Sequence, residues 1–147
     1  MVIHMTEPSP TSDGPMDKLE RINRAQIRAG QDWIRGRGLT LQQAFVLNYL
    51  TDHSGAMQRE IAEATQTTPA NISGVLRVLQ SRGLIERRTD EGDDRSKRVF
   101  ATPDGVALLA GRDDAMAAVD DRLLSPLSSS EQATLDELLG RIAAALD

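Results

Sequence analysis

The segment from Thr68 to Gly83 constrains this chain more than any other, because its start, its buried face and its stop can all be read from residue chemistry. Thr68 is a capping residue. Pro69 suits a first helical turn, where the missing N–H is no loss, and Gly83 follows as a left-handed stop, so the spacing predicts a helix from about Thr68 to Arg82. Within it, Ile72, Val75, Leu76 and Leu79 repeat at i, i+3, i+4 and i+7 and form one buried face. Ala70, Ser73, Gly74, Arg77 and Ser81 point the other way. That outer face is small and sparsely charged, which lets the helix approach another surface closely, and the DNA major groove is wide enough to admit an α-helix. An ordinary solvated helix would have the same pattern, so the flanking segments decide.

Before this helix, residues from Gln58 to about Thr65 make a short one, with Ile61 and Ala62 inward. After it, Leu84-Ile85-Glu86-Arg87-Arg88-Thr89 is short, alternating and β-prone, and Arg98-Val99-Phe100-Ala101 returns in the same manner. Between them lies the charged tip Asp90-Glu91-Gly92-Asp93-Asp94-Arg95-Ser96-Lys97. Such a tip is usually only solvated, but one that projects from the end of a reading helix can reach phosphates or the minor groove. Short helix, capped helix and two-stranded hairpin together predict a winged helix-turn-helix, mainly α with a small β wing.

These residues resemble the MarR (multiple antibiotic resistance regulator) family of bacterial transcription factors from Leu39 to about Ala110. The most specific matches are Arg82-Gly83-Leu84-Ile85-Glu86-Arg87, then Asp94-Arg95, then Ala101-Thr102-Pro103-Asp104-Gly105, in the family's order and spacing. The resemblance implies DNA contacts from Thr68, Pro69, Ala70, Asn71, Ser73, Gly74, Arg77, Arg87, Asp94, Arg95 and Lys97. Asn71 and Arg77 would read bases, and Arg95, held by Asp94, would enter the minor groove or meet phosphate. One departure is Gly74, where members often carry a basic residue, so base readout there differs or is weaker.

At 147 residues the chain fits one domain or one subunit of an intertwined dimer. The net charge of −5 conflicts with DNA binding until it is divided along the chain: residues 1–57 carry 0, residues 58–103 carry +1, and residues 104–147 carry −6. Net acidity is thus concentrated in the last third, and arginines cluster at 82, 87, 88, 95 and 98. Cysteine is absent, which excludes disulfides, thiolate metal sites and thiol-based peroxide sensing. No 18-residue apolar run or basic-then-apolar leader appears, so a soluble cytoplasmic protein without membrane contact is expected.

The Pro-, Ser- and Thr-rich composition of residues 1–15 predicts a disordered arm, leaving 16–147 as a single domain with its winged core at about 39–103. A first helix is expected over 16–35, with Leu19, Ile22, Ile27, Trp33 and Ile34 giving apolar contacts on more than one side. Thr40 and Gln43 form a capping box for the next helix, whose expected core face is Ala44, Phe45, Leu47 and Leu50. His53 falls at its end, as a loop or cap residue. Past the wing, Val106, Leu108, Leu109, Met116, Val119 and Leu123 predict one long helix toward Pro126, and Ser128 with Glu131 caps a last helix. Its stripe of Leu135, Leu138, Leu139, Ile142 and Leu146 must be covered, either within the subunit or, as the resemblance favours, by a second copy. Leu19 and Ile22 would join that dimer surface, with 16–35 and 104–146 as the dimerisation helices.

Enzyme chemistry finds no support. The two histidines lie in expected loops, and Asp113-Asp114 and Asp120-Asp121 are adjacent residues that diverge by about 100° on a helix. No P-loop, Rossmann, nucleophile-elbow or metal-ligand spacing is present, so neither a metal nor a cofactor is expected. The sequence therefore predicts a homodimeric regulator that binds double-stranded DNA at a pseudo-palindromic operator and represses transcription. The resemblance adds release by a small aromatic or phenolic ligand held in a cleft drawn from the first, second and fifth helices. The alternative is a winged helix that serves as a protein-interaction module without sequence-specific DNA binding. Asp94-Arg95 favours the first, and Gly74 with the overall acidity favours the second.

Overall fold

A computed structural model of the protein describes residues 13–89 and 97–147. The expected arm lies outside the described residues except at 13–15, and there Pro15 already opens a helix. The described elements are α1 (Pro15–Gly36), α2 (Leu41–Asp52), β1 (Ala56–Met57), α3 (Gln58–Ala64), α4 (Pro69–Ser81), β2 (Ile85–Thr89), β3 (Lys97–Ala101), α5 (Pro103–Leu109), α6 (Arg112–Leu124) and α7 (Ser129–Ala144). They fall into two compact units, Gly30–Ala115 and Met1–Ala29 with Met116–Asp147.

The larger unit contains the whole buried core found among the described residues. Ile61, Ile72, Leu76 and Leu79 are wholly buried, with Val46, Leu47, Leu50, Leu84, Ile85 and Val99 around them. The α2 capping box forms as its residues dictate: Thr40 Oγ1 accepts from the Gln43 N–H at 3.1 Å, and the Thr40 N–H donates to Gln43 Oε1 at 3.0 Å. Phe45, an expected core residue, is instead 55% exposed, while Val46 is buried. Helical geometry explains the exchange, since Phe45 precedes Leu47 by two residues, roughly 200° of rotation, and so lies on the opposite side. His53 caps α2, with its ring stacked on Tyr49 at 4.2 Å between centroids.

The expected two-stranded hairpin is part of a three-stranded antiparallel sheet in the order β1-β3-β2. Ala56 stands opposite Val99 and Met57 opposite Arg98, an edge strand of two residues that is too short to leave an alternation in the sequence. The hairpin register pairs Ile85 with Ala101, Arg87 with Val99 and Thr89 with Lys97, which places these six on one face and Glu86, Arg88, Arg98 and Phe100 on the other.

The single long helix expected after the wing is two helices. Ala110 leaves the helix with φ −61° and ψ 140°, and Gly111 follows at φ +84°, a left-handed conformation open to glycine at no steric cost. The apolar repeat runs straight through this break, because Leu108, Leu109 and Met116 keep a helical spacing across it.

In the smaller unit, Gln26 Nε2 donates to Asp120 Oδ1 at 2.7 Å, joining α1 to α6. The Ser128–Glu131 capping box starts α7, and Gln132 Nε2 closes the preceding turn by donating to the Leu124 and Leu127 carbonyls at 3.1 and 3.2 Å. None of its described residues is buried. Ile22 is 46% exposed, Leu138 47% and Ile142 54%. No described helix is long and apolar enough to cross a membrane.

Candidate nucleic-acid interface

The helix-turn-helix is α3 and α4 joined by a tight turn. The Thr67 N–H donates to the Ala62 carbonyl at 3.0 Å, and Gln66 takes φ 54° just before it, a left-handed conformation that a non-glycine residue adopts at a cost of about 1 kcal/mol. Thr68 caps α4 by accepting from the Asn71 N–H at 3.2 Å, and Pro69 occupies the first turn as the sequence requires. From α3, Gln58 Nε2 donates to the Pro69 carbonyl at 3.0 Å and ties the two helix starts together.

The far end of α4 is fixed as firmly. Gly83 turns the chain at φ +72°, the Leu84 N–H returns to the Leu79 carbonyl at 2.9 Å, and Thr102 Oγ1 donates to the Gly83 carbonyl at 2.6 Å. Arg82 Nη1 donates to the Gly38 carbonyl at 2.8 Å, so its guanidinium holds the turn before α2. Ile72, Leu76 and Leu79 bury one face, with Val75 packed beside them. A helix clamped at both ends and packed along one side presents a rigid opposite side.

That side gathers most of the residues assigned from sequence. Thr68, Pro69, Ala70, Asn71, Gly74 and Arg77 are exposed, while Ser73 is half-buried at the margin. Asn71 Nδ2 donates to Thr67 Oγ1 at 3.2 Å, which orients the amide and leaves its second N–H and its oxygen unused. Arg77 makes no ion pair or hydrogen bond among the described residues.

The arginine cluster of the sequence is not one surface. Arg88 is paired with Glu86 and lies 4.5 Å over the Phe100 ring, and Arg98 donates to the Gly55 carbonyl at 3.2 Å. Arg87 is half-buried on the face shared by Ile85 and Val99, and its Nε is buried without a hydrogen-bond partner among the described residues. Lys97 is exposed at the start of β3, and Asp94 and Arg95 lie outside the described residues. Sequence reasoning missed Gln58, whose role depends on a contact eleven residues away, and the exposure of Val78 on the outer side of α4. Among the described residues no three His, Cys, Asp or Glu side chains come together as a metal site.

A sequence model of the MarR family matches residues 37–96, which span α2 to the wing. The transcriptional regulator HosA of Escherichia coli O157:H7 is 31% identical over 104 residues, covering 71% of this chain and 77% of HosA. Among solved structures, a mutant of S. aureus MepR bound to an oligodeoxyribonucleotide superposes with a TM-score of 0.80 at 27% identity, covering 92% of this chain and 100% of that one. S. aureus MepR bound to ethidium bromide gives 0.64 at 26% identity over 91% and 97% of the two chains. With the clamped helix, its exposed outer side and the adjoining wing, these similarities set aside the reading as a protein-interaction module: the chain belongs to the MarR family and is a winged helix-turn-helix, DNA-binding transcriptional regulator.

Proposed function

We propose that two copies of this chain bind a pseudo-palindromic operator and repress transcription, each placing α4 in the major groove. The carrying observation is the outer side of α4, where Asn71 and Arg77 stand exposed with unused hydrogen-bonding groups on a helix held at both ends. Asn pairs bidentately with adenine and Arg with guanine. Thr68, Pro69, Ala70, Ser73 and Gly74 let the backbone come close, Arg87, Arg95 and Lys97 serve the flanking phosphates or minor groove, and Asp94 holds the Arg95 guanidinium in place. Two-fold symmetry sets the half-sites about one helical turn, ~34 Å, apart.

Dimerisation through α1 and α7 is supported by the smaller unit, which exposes Leu138, Leu139, Ile142 and Leu146 and buries no described side chain of its own. Leu19, Ile22 and Leu135 extend the same surface. A small aromatic or phenolic ligand relieves repression by binding the DNA-free dimer more tightly, since only differential affinity shifts the equilibrium. The ethidium-bound relative supports an aromatic ligand. Selection of bound duplexes from a random pool tests the operator: an inverted repeat supports the reading, and a pool with no reproducible sequence refutes it.

A further inference from the structure

The outer side of α4 carries an apolar side chain that base reading by Asn71 and Arg77 does not use. Val78 is 44% exposed, although α4 buries every other large apolar residue that it holds at least in part. Its backbone is fixed, because both Ser81 Oγ and the Arg82 N–H donate to the Val78 carbonyl, at 2.8 and 3.1 Å. Asn71, Gly74 and Val78 follow at i, i+3 and i+7 and therefore form one row along the helix. In the middle of that row nothing lies within 4 Å of the place a β-carbon of Gly74 would occupy. The row has a dip there, and a surface laid against α4 meets the flank of Val78 on entering it.

The chemistry of the row selects what it can meet. Gly74 and Val78 offer neither donor nor acceptor from their side chains, so a base edge made only of polar groups would lose water there without a substitute. In the major groove the one apolar group is the thymine C5-methyl. Resting on the operator reading above, we infer that Val78 packs against a thymine methyl admitted by the dip at Gly74, and that the row from Asn71 to Val78 reads A·T pairs. Asn71 supplies the adenine contact with the N–H and oxygen that its bond to Thr67 leaves unused. The two ends of the row are about 10 Å apart, roughly three base-pair steps, so separate pairs are read.

The test uses the whole chain and the duplex selected from the random pool. Each thymine of a half-site is replaced in turn by deoxyuridine, which removes only the methyl group. At one position per half-site the replacement weakens wild-type binding about fourfold, the worth of one buried methyl group. Val78→Ala binds the thymine and uracil duplexes alike at that position, and Val78→Thr, which keeps a methyl, retains part of the difference. Gly74→Ala fills the dip without a clash, so it raises the melting temperature and still weakens the operator severalfold. A uracil penalty of the same size in wild type and Val78→Ala, or none at any position, overturns the inference while leaving the operator intact. Unchanged operator affinity in Gly74→Ala overturns it too, and a pool that returns no repeat overturns the operator reading and this inference together.

Discussion

Gly105 sits directly beneath the backbone carbonyl of Leu84, with no room for a β-carbon. Such an atom would lie well inside contact with the Leu84 oxygen and 3.3 Å from Leu47 Cδ2. The same corner is tied by the Thr102 N–H donating to the Leu84 carbonyl at 3.0 Å and by the Gly105 N–H donating to Thr102 Oγ1 at 3.1 Å. The end of the wing and the start of α5 are thereby locked to the end of α4. Because backbone rather than a flexible side chain blocks the space, Gly105→Ala should destabilise the larger unit by about 2–3 kcal/mol, read by urea unfolding. Unchanged stability would mean that α5 shifts freely against β2.

The dimer surface is tested at α7. Leu139 is 36% exposed and Ile142 54%. Charged replacements at both positions should convert the dimer into monomers or aggregates, measured by light scattering, because a charge cannot be buried there without a partner. A well-folded dimer of this variant would place the interface elsewhere.

The α7 cap predicts a dependence on pH. The backbone N–H of Ser128 donates to the Glu131 carboxylate at 2.9 Å and, with the Ser128 hydroxyl beside it, holds its pKa below the ordinary glutamate value. A folded pKa lower than the unfolded one contributes stability that is present above the unfolded value and lost as pH falls through the folded one. Glu131→Gln keeps the shape and does not titrate. The difference in melting temperature between wild type and this variant should therefore be constant near neutrality and shrink on acidification below the ordinary glutamate range. A difference that persists in acid would show that charge at Glu131 is irrelevant to the cap.

The reading helix was legible in the sequence because its chemistry is local: Thr68, Pro69 and Gly83 state its limits, and Ile72, Leu76 and Leu79 its buried side. The capping boxes at Thr40 and Ser128 were legible for the same reason. What escaped depends on distant partners or on single residues inside a sustained pattern. Phe45 has the composition of a core residue, yet Val46 holds the buried side, and Gly111 breaks a helix whose apolar repeat continues across it. Arg82, Arg88 and Arg98 resemble one basic patch in the sequence because charge there carries no direction. Arg82 and Arg98 instead meet carbonyls brought near by the fold, and Arg88 pairs with Glu86 along its own strand.

Affinity for operator and scrambled duplexes across a range of salt tests most directly whether the outer side of α4 reads sequence while the wing supplies attraction. Arg77→Ala should cost about 1–3 kcal/mol on the operator and less on scrambled duplex, relaxing preference at one position of each half-site. Arg95→Ala should weaken both duplexes by similar factors and flatten the slope of log affinity against log salt by ~0.9 for each phosphate it no longer neutralises. If Arg77→Ala weakens all DNA equally while Arg95→Ala erases the preference for the operator, the assignment of reader and clamp is contradicted.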